Sequence, residues 1–157
     1  MNNILIRRAG ENDLRAITEL FRDTIQFINS KDYTPEQVEV WSAGANNTGR
    51  WSQSIENQYF IVAELNGVLA GFGSITREGY LDFMYVHKDY QRMGIASSLL
   101  TEIESKAAKQ KNSEIYSDVS KTAKGFFEKM GYHCRKVVKD KAVNGVIFEN
   151  NVMVKKL

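Results

Sequence analysis

The sequence predicts one domain of α+β (mixed α/β) class, with a mixed, mostly antiparallel sheet of about seven strands flanked by about four helices. Three observations carry this. Asn-Gly dipeptides at 66–67 and 144–145 each sit between strand-like runs, the strongest short signal for a two-residue hairpin. From Tyr80 to Val119 the chain reads strand, glycine-containing loop, amphipathic helix, strand, so those two strands should run parallel through a right-handed crossover. Elsewhere apolar residues recur at three/four spacing, the mark of helices packed on such a sheet.

In chain order, Ile4–Arg8 is a short strand, and Asn12 or Asp13 caps a helix whose Leu14, Ile17, Leu20, Phe21, Ile25 and Ile28 share one face. Thr34-Pro35-Glu36-Gln37 is a helix start, with Thr34 as N-cap, proline at the first position and Gln37 closing a capping box. Trp51 and Ile55 suggest another short helix. Tyr59–Leu65 and Val68–Thr76 form a hairpin, and Arg77-Glu78-Gly79 turns the chain into strand Tyr80–Val86. Helix Gly94–Lys111 buries Ile95, Leu99, Leu100, Ile103 and Ala107. Strand Glu114–Val119 follows, then a helix capped by Ser120 and ended by Gly131, then strands Tyr132–Val143 and Val146–Lys155.

Composition narrows the function classes. The chain's 157 residues suit one domain over 1–157, large enough to bury about two thirds of its unfolded surface. Lys and Arg number 21 against 19 Asp and Glu, a net charge of +2, too balanced to argue for nucleic acid or an anionic membrane as partner. No apolar run approaches the length of a membrane span, and the first residues lack a basic-then-apolar export signal. The lone Cys134 excludes an internal disulfide and suits a reducing cytoplasm. His87 and His133 have no second ligand at metal-binding spacing, so no metal is expected. No G-x-S-x-G supports a serine hydrolase, and Gly71-Phe72-Gly73, inside a strand with no helix after it, is no dinucleotide loop.

The segment 84–100, MYVHKDYQRMGIASSLL, is where chemistry concentrates. A strand running through a glycine-containing loop into a helix aims several backbone N–H groups and the positive end of the helix dipole at one spot, which suits a phosphate or diphosphate. The same pattern also describes a plain turn, and these residues alone leave both readings open. Gln91-Arg92-Met93-Gly94-Ile95-Ala96 resembles the Q/R-x-x-G-x-G/A element of the GCN5-related N-acetyltransferases (GNAT family). Val119 to Tyr132, VSKTAKGFFEKMGY, is similar to the family's second element, N/S-x-x-A-x-x-F-Y-E-K-x-G-F, and Ile4–Ala9 with Asp13-Leu14 resembles its usual start. The likeness spans nearly the whole chain.

That resemblance implies a GNAT-like sheet in which strands 80–86 and 114–119 splay at their C-terminal ends to admit acetyl-coenzyme A. It implies cofactor contacts from Met84, Tyr85 and Val86, from Gln91, Arg92, Met93, Gly94, Ile95, Ala96 and Ser97, and from Ser120 and Phe127. The implied activity is acetyl transfer to a primary amine of a small molecule or peptide by direct attack, with a non-catalytic coenzyme A sensor as the alternative. Asp82 either acts as general base or pairs with Arg77, Lys88 or a neighbouring backbone. Phe127 departs from the family's tyrosine, whose hydroxyl protonates the leaving thiolate; water, Tyr116, Tyr132 or the thiol's own acidity must then serve. Tyr33, Trp41, Trp51, Phe21 and Phe27 stand in the region that walls the family's acceptor pocket, with core packing the simpler role for Phe21 and Trp41. A third reading is a homodimeric interaction protein that uses the last hairpin as its interface.

Overall fold

A computed structural model describes residues 3–157; residues 1 and 2, which the single-domain expectation includes, lie outside it. The elements run β1 (Ile4–Arg8), α1 (Leu14–Phe27), α2 (Pro35–Ser42), α3 (Thr48–Asn57), β2 (Tyr59–Leu65), β3 (Val68–Ile75), β4 (Leu81–Val86), α4 (Ile95–Lys109), β5 (Glu114–Val119), α5 (Lys124–Lys129), β6 (His133–Val143) and β7 (Val146–Lys156). The mixed α/β class and, among the described residues, the seven strands match expectation; the helices there number five against about four expected, and α3 is the short helix that Trp51 and Ile55 suggest.

The strands form two antiparallel ladders, β1-β2-β3-β4 and β5-β7-β6. They meet at one parallel bridge, Tyr80 to Tyr116. Both hairpin dipeptides take left-handed conformations at both positions, with φ of 54° and 78° at Asn66-Gly67 and 48° and 80° at Asn144-Gly145, the backbone that a two-residue turn between twisted strands requires.

Two apolar layers sandwich the first ladder. On β2, Phe60 and Val62 join Phe72, Phe83, Ile17, Phe21 and Trp51 on the α1/α3 side. The alternate residues Ile61, Ala63 and Leu65 join Leu99, Ile103 and Ala107 on the α4 side. Alternation of side chains along a strand accounts for the division. The glycines of Gly71-Phe72-Gly73 are explained by packing: a Cβ at Gly71 would stand 2.8 Å from Ile95 Cγ2, and one at Gly73 would stand 2.9 Å from Ile103 Cδ1. Without side chains at these positions α4 lies directly on β3, and this fixes where its N-terminus points.

Local chemistry corrects two caps. Thr34 and Gln37 do form the expected box, with Gln37 N donating to Thr34 Oγ1 and Thr34 N donating to Gln37 Oε1. Asp13, however, caps nothing in α1: its carboxylate accepts two bonds from Arg7 and one from Gly10 N. Ser120 Oγ accepts from Ala123 N, capping a separate turn, so α5 starts only at Lys124.

Candidate active site

A cleft of about 1390 Å³ opens between the two ladders and reaches from the N-terminus of α4 to the β6–β7 hairpin. Its origin is the single β4–β5 bridge. Beyond Tyr80–Tyr116, the buried Ser117 hydroxyl donates to Leu81 O at 2.7 Å. Among the described residues, no backbone hydrogen bond joins β4 to β5 past that point.

One half of the cleft is lined by the loop between β4 and α4. Gln91 Nε2 donates to Val86 O at 2.8 Å and to His87 O at 3.3 Å, so this side chain closes the loop on itself. Arg92 and Gly94 take left-handed φ of 60° and 82° and turn the chain into the helix. Ser98 N is the first amide bonded within the turn, to Gly94 O at 3.0 Å. The amides of Ile95, Ala96 and Ser97 precede it, where a helix has no partners of its own, and among the described residues no side chain caps them. Gly94 is exposed at the cleft mouth, and a Cβ there would meet nothing within 4 Å.

The ladder decides which β4 backbone groups face the gap. His87 N donates to Ala70 O, so Gly71↔Val86 and Gly73↔Met84 are non-bonded pairs and Phe72↔Tyr85 is the bonded pair between them. Met84 and Val86 therefore turn their backbone groups away from β3. Tyr85 is the exception among the three residues expected there: its backbone is bonded to β3, and its ring lines the cleft instead. Val86 O is taken by Thr24 Oγ1 and Gln91.

The other half of the cleft is aromatic and carries Asp82. Ser74 pairs with Phe83 while Ile75 pairs with Leu81, so Asp82 is the extra residue of a β-bulge. The bulge breaks strict alternation and sets Asp82 on the same side as Phe83, where Gln58 Nε2 donates to Asp82 Oδ2 at 2.8 Å. The carboxylate pairs with neither Arg77 nor Lys88. Among the described residues, Gln58 Oε1 and Ser74 Oγ are buried without partners, the usual signature of an ordered water site.

Tyr33, Trp41 and Phe148 form a cluster, with Tyr33 and Trp41 centroids 5.1 Å apart. Gln37 Nε2 donates to Ile147 O and ties α2 to the hairpin. Phe21, Trp41 and Trp51 all line the cleft; Phe21 and Trp51 are buried and meet edge to face within the core, and Trp41, partly buried, packs against that same core as well as the cleft. Phe27 stands apart, 58% exposed under the Lys88 ammonium.

Phe127 is buried at the cleft wall against Phe126 and Tyr132. Neither expected substitute hydroxyl lines the cleft. Tyr132 donates to Glu104 Oε2 at 2.8 Å, and burial together with that carboxylate pushes its hydroxyl far above the usual tyrosine range. Tyr33, Tyr80, Tyr85 and Tyr90 do line it. Burial raises the pKa of Tyr33, whose oxygen accepts from Lys121 N at 2.9 Å. Tyr80 is raised by burial and then by Asp118, to which it donates. Among the described residues, no group of three His, Cys, Asp or Glu is placed to hold a metal, and no helix is long and apolar enough to cross a membrane.

Gln58 and Arg50 carry no motif, and nothing local in the sequence marks them. Arg50 lies over the Phe83 ring at 5.8 Å.

Comparison with known proteins bears on this site. Residues 29–155 match the family model of the acetyltransferase (GNAT) domain. Over 133 residues, 84% of this chain and 83% of the other, the sequence is 34% identical to the uncharacterized N-acetyltransferase YafP of Escherichia coli K12. A GCN5-related N-acetyltransferase structure from Rhodopseudomonas palustris superposes with a TM-score of 0.95 at 27% identity, covering 100% of this chain and 98% of that one. The PaiA N-acetyltransferase of Thermoplasma acidophilum, solved in complex with coenzyme A, has a TM-score of 0.79 at 22% identity, covering 99% of both chains.

Proposed function

Because the chain belongs to the GNAT family of acetyltransferases, we propose that it moves an acetyl group from acetyl-coenzyme A to a primary amine held in the aromatic half of the cleft. The observation that carries this reading is the uncapped first turn of α4, opening onto a cleft that runs inward between β4 and β5. The amides of Ile95, Ala96 and Ser97, with the helix dipole behind them, suit the diphosphate of the coenzyme, and the Arg92 guanidinium adds positive charge beside it. The backbone groups of Met84 and the Val86 amide suit the amide-bearing arm, as strand partners that β5 does not supply, whereas Val86 O is already bonded to Thr24 and Gln91.

In this reading Asp82 is the general base. Gln58 holds one carboxylate oxygen at 2.8 Å and leaves Oδ1 to take a proton from the acceptor ammonium, directly or through water. The neutral amine attacks the thioester carbonyl carbon; the C–N bond forms, the nitrogen gives its second proton to water, the C–S bond breaks and the thiolate leaves. Most of the acceleration comes from holding amine and carbonyl side by side. Phe127 offers the thiolate no proton, so a cleft hydroxyl, water or the thiol's own acidity completes the step.

Calorimetry with acetyl-coenzyme A, followed by thiol release over a panel of primary amines, tests the reading. Binding with release supports it. Binding without release across the panel favours a coenzyme sensor, which Phe127 also suits, and no binding refutes both.

A further inference from the structure

We propose that the acceptor is a zwitterion, an α-amino acid with an aromatic or apolar side chain, whose carboxylate pairs with Arg50 while its amine faces Asp82. The inference rests on the acetyltransferase reading and names the substrate class of that same site.

Arg50 projects from α3 into the cleft, with its guanidinium 5.8 Å from the Phe83 ring centroid. The cleft wall holds two aspartates, and both are engaged elsewhere. Asp118 accepts from Tyr80 and lies 3.9 Å from Lys141, and Asp82 accepts from Gln58. Among the described residues, the Arg50 side chain has neither a hydrogen bond nor an ion pair. A guanidinium resting on an aromatic face, with its donor edge open, is the group that takes a carboxylate through two parallel bonds.

Asp82 and Phe83 are consecutive, and the bulge turns both to the α3 side. The carboxylate is thus carried by the residue next to Phe83, the residue whose ring the guanidinium overlies, and a ligand bearing both an amine and a carboxylate answers both charges. An amine without an anion would meet the Arg50 charge uncompensated. Beyond the charged pair the wall is Trp41, Tyr85 and Phe148, surface that favours a flat or apolar side chain.

The test compares L-phenylalanine, L-phenylalaninamide and phenethylamine by acetyl-coenzyme A-dependent thiol release, with kcat/KM expressed per neutral amine. A charge-assisted bidentate pair predicts that phenylalanine is preferred about tenfold or more over either analogue. The ratio should collapse toward one in Arg50→Gln and be partly retained in Arg50→Lys. Equal use of the three by the unaltered protein, or a ratio unchanged in Arg50→Gln, overturns the proposal. Acetyl-coenzyme A binding with no release from any of the three overturns this substrate class alone. Failure to bind acetyl-coenzyme A overturns the parent reading and this one with it.

Discussion

Replacing Gly94 by glutamate should abolish useful affinity for acetyl-coenzyme A while leaving the fold intact, and the structure separates the two effects. Gly94 has φ +82° and a Cβ there would meet nothing within 4 Å, so the cost to stability is conformational, about 1–2 kcal/mol for an L-residue in the left-handed region. For a chain of this size that lowers Tm by about 2–8 °C. Gly94→Ala carries the same strain without charge, so the difference between the two variants isolates electrostatics. Unit charges about 4 Å apart repel by roughly 1 kcal/mol in water and roughly 4 kcal/mol at an effective dielectric of 20. Against a doubly charged diphosphate at a half-exposed loop, an intermediate value gives about 3 kcal/mol, or about 100-fold in Kd. Calorimetry measures the two affinities and thermal unfolding checks the fold. The gap should narrow as salt rises, because the screening length falls from about 10 Å at 0.1 M to about 3 Å at 1 M. If the glutamate variant binds within threefold of the alanine variant at low salt, the helix terminus does not hold the diphosphate.

Asp82→Asn should lower kcat/KM by about 10²–10³ at neutral pH while leaving coenzyme affinity within twofold; a wild-type kcat at every pH removes Asp82 as base. Gln58→Leu, which frees the Asp82 carboxylate to swing, should lower kcat several-fold with the same coenzyme Kd, and an unchanged kcat would show that the 2.8 Å bond plays no part in positioning. Hydrogen bonding from Arg7 holds Asp13 below the usual carboxylate range, with Gly10 N adding to it and burial opposing it. Its folded pKa is depressed, so this stabilisation is complete above the unfolded value of about 4 and is lost as pH falls through the lower folded value. Asp13→Asn should therefore cost about 1 kcal/mol at pH 7, with the deficit against wild type shrinking as pH falls below the unfolded value of about 4 and through the lower folded one; a deficit that stays constant as the pH is taken well below about 4 refutes the linkage. Ser117→Ala orphans the buried Leu81 O and should cost about 1–2 kcal/mol by denaturant unfolding; no loss would mean that the bond does not hold β4 to β5 at the base of the cleft.

What was legible in the sequence follows from how far apart the interacting residues are. The hairpins, the Thr34 box and the β4-loop-α4 unit are encoded within a few residues, so Asn66-Gly67, Thr34-Pro35-Glu36-Gln37 and Gln91–Ala96 announce them directly. Asp13 misled because its neighbours in sequence offered a helix to cap, whereas Arg7, six residues back on β1, offered a charged fork and took the carboxylate. Gly71 and Gly73 carried no local reason at all; theirs is α4, more than twenty residues on.

The same distinction divides the cleft. The half beside the N-terminus of α4 is one continuous segment and is legible from it, except that pairing parity, which no motif states, turns the Tyr85 backbone toward β3. The aromatic half is assembled from α2, α3, β4 and the final hairpin, which meet only through tertiary packing. The bulge at Asp82 depends on how Ser74 and Ile75 register against β4, and alternation along the strand would have set Asp82 opposite to Phe83. Arg50, in the first turn of α3, and Gln58, at its C-cap, reach the same strand from the two ends of one helix. On the roles proposed for Arg50, Asp82 and the first turn of α4, a small change in α3 would move the anion partner and the support of the base together, so acceptor choice and proton removal should covary in variants of this helix while coenzyme affinity stays fixed.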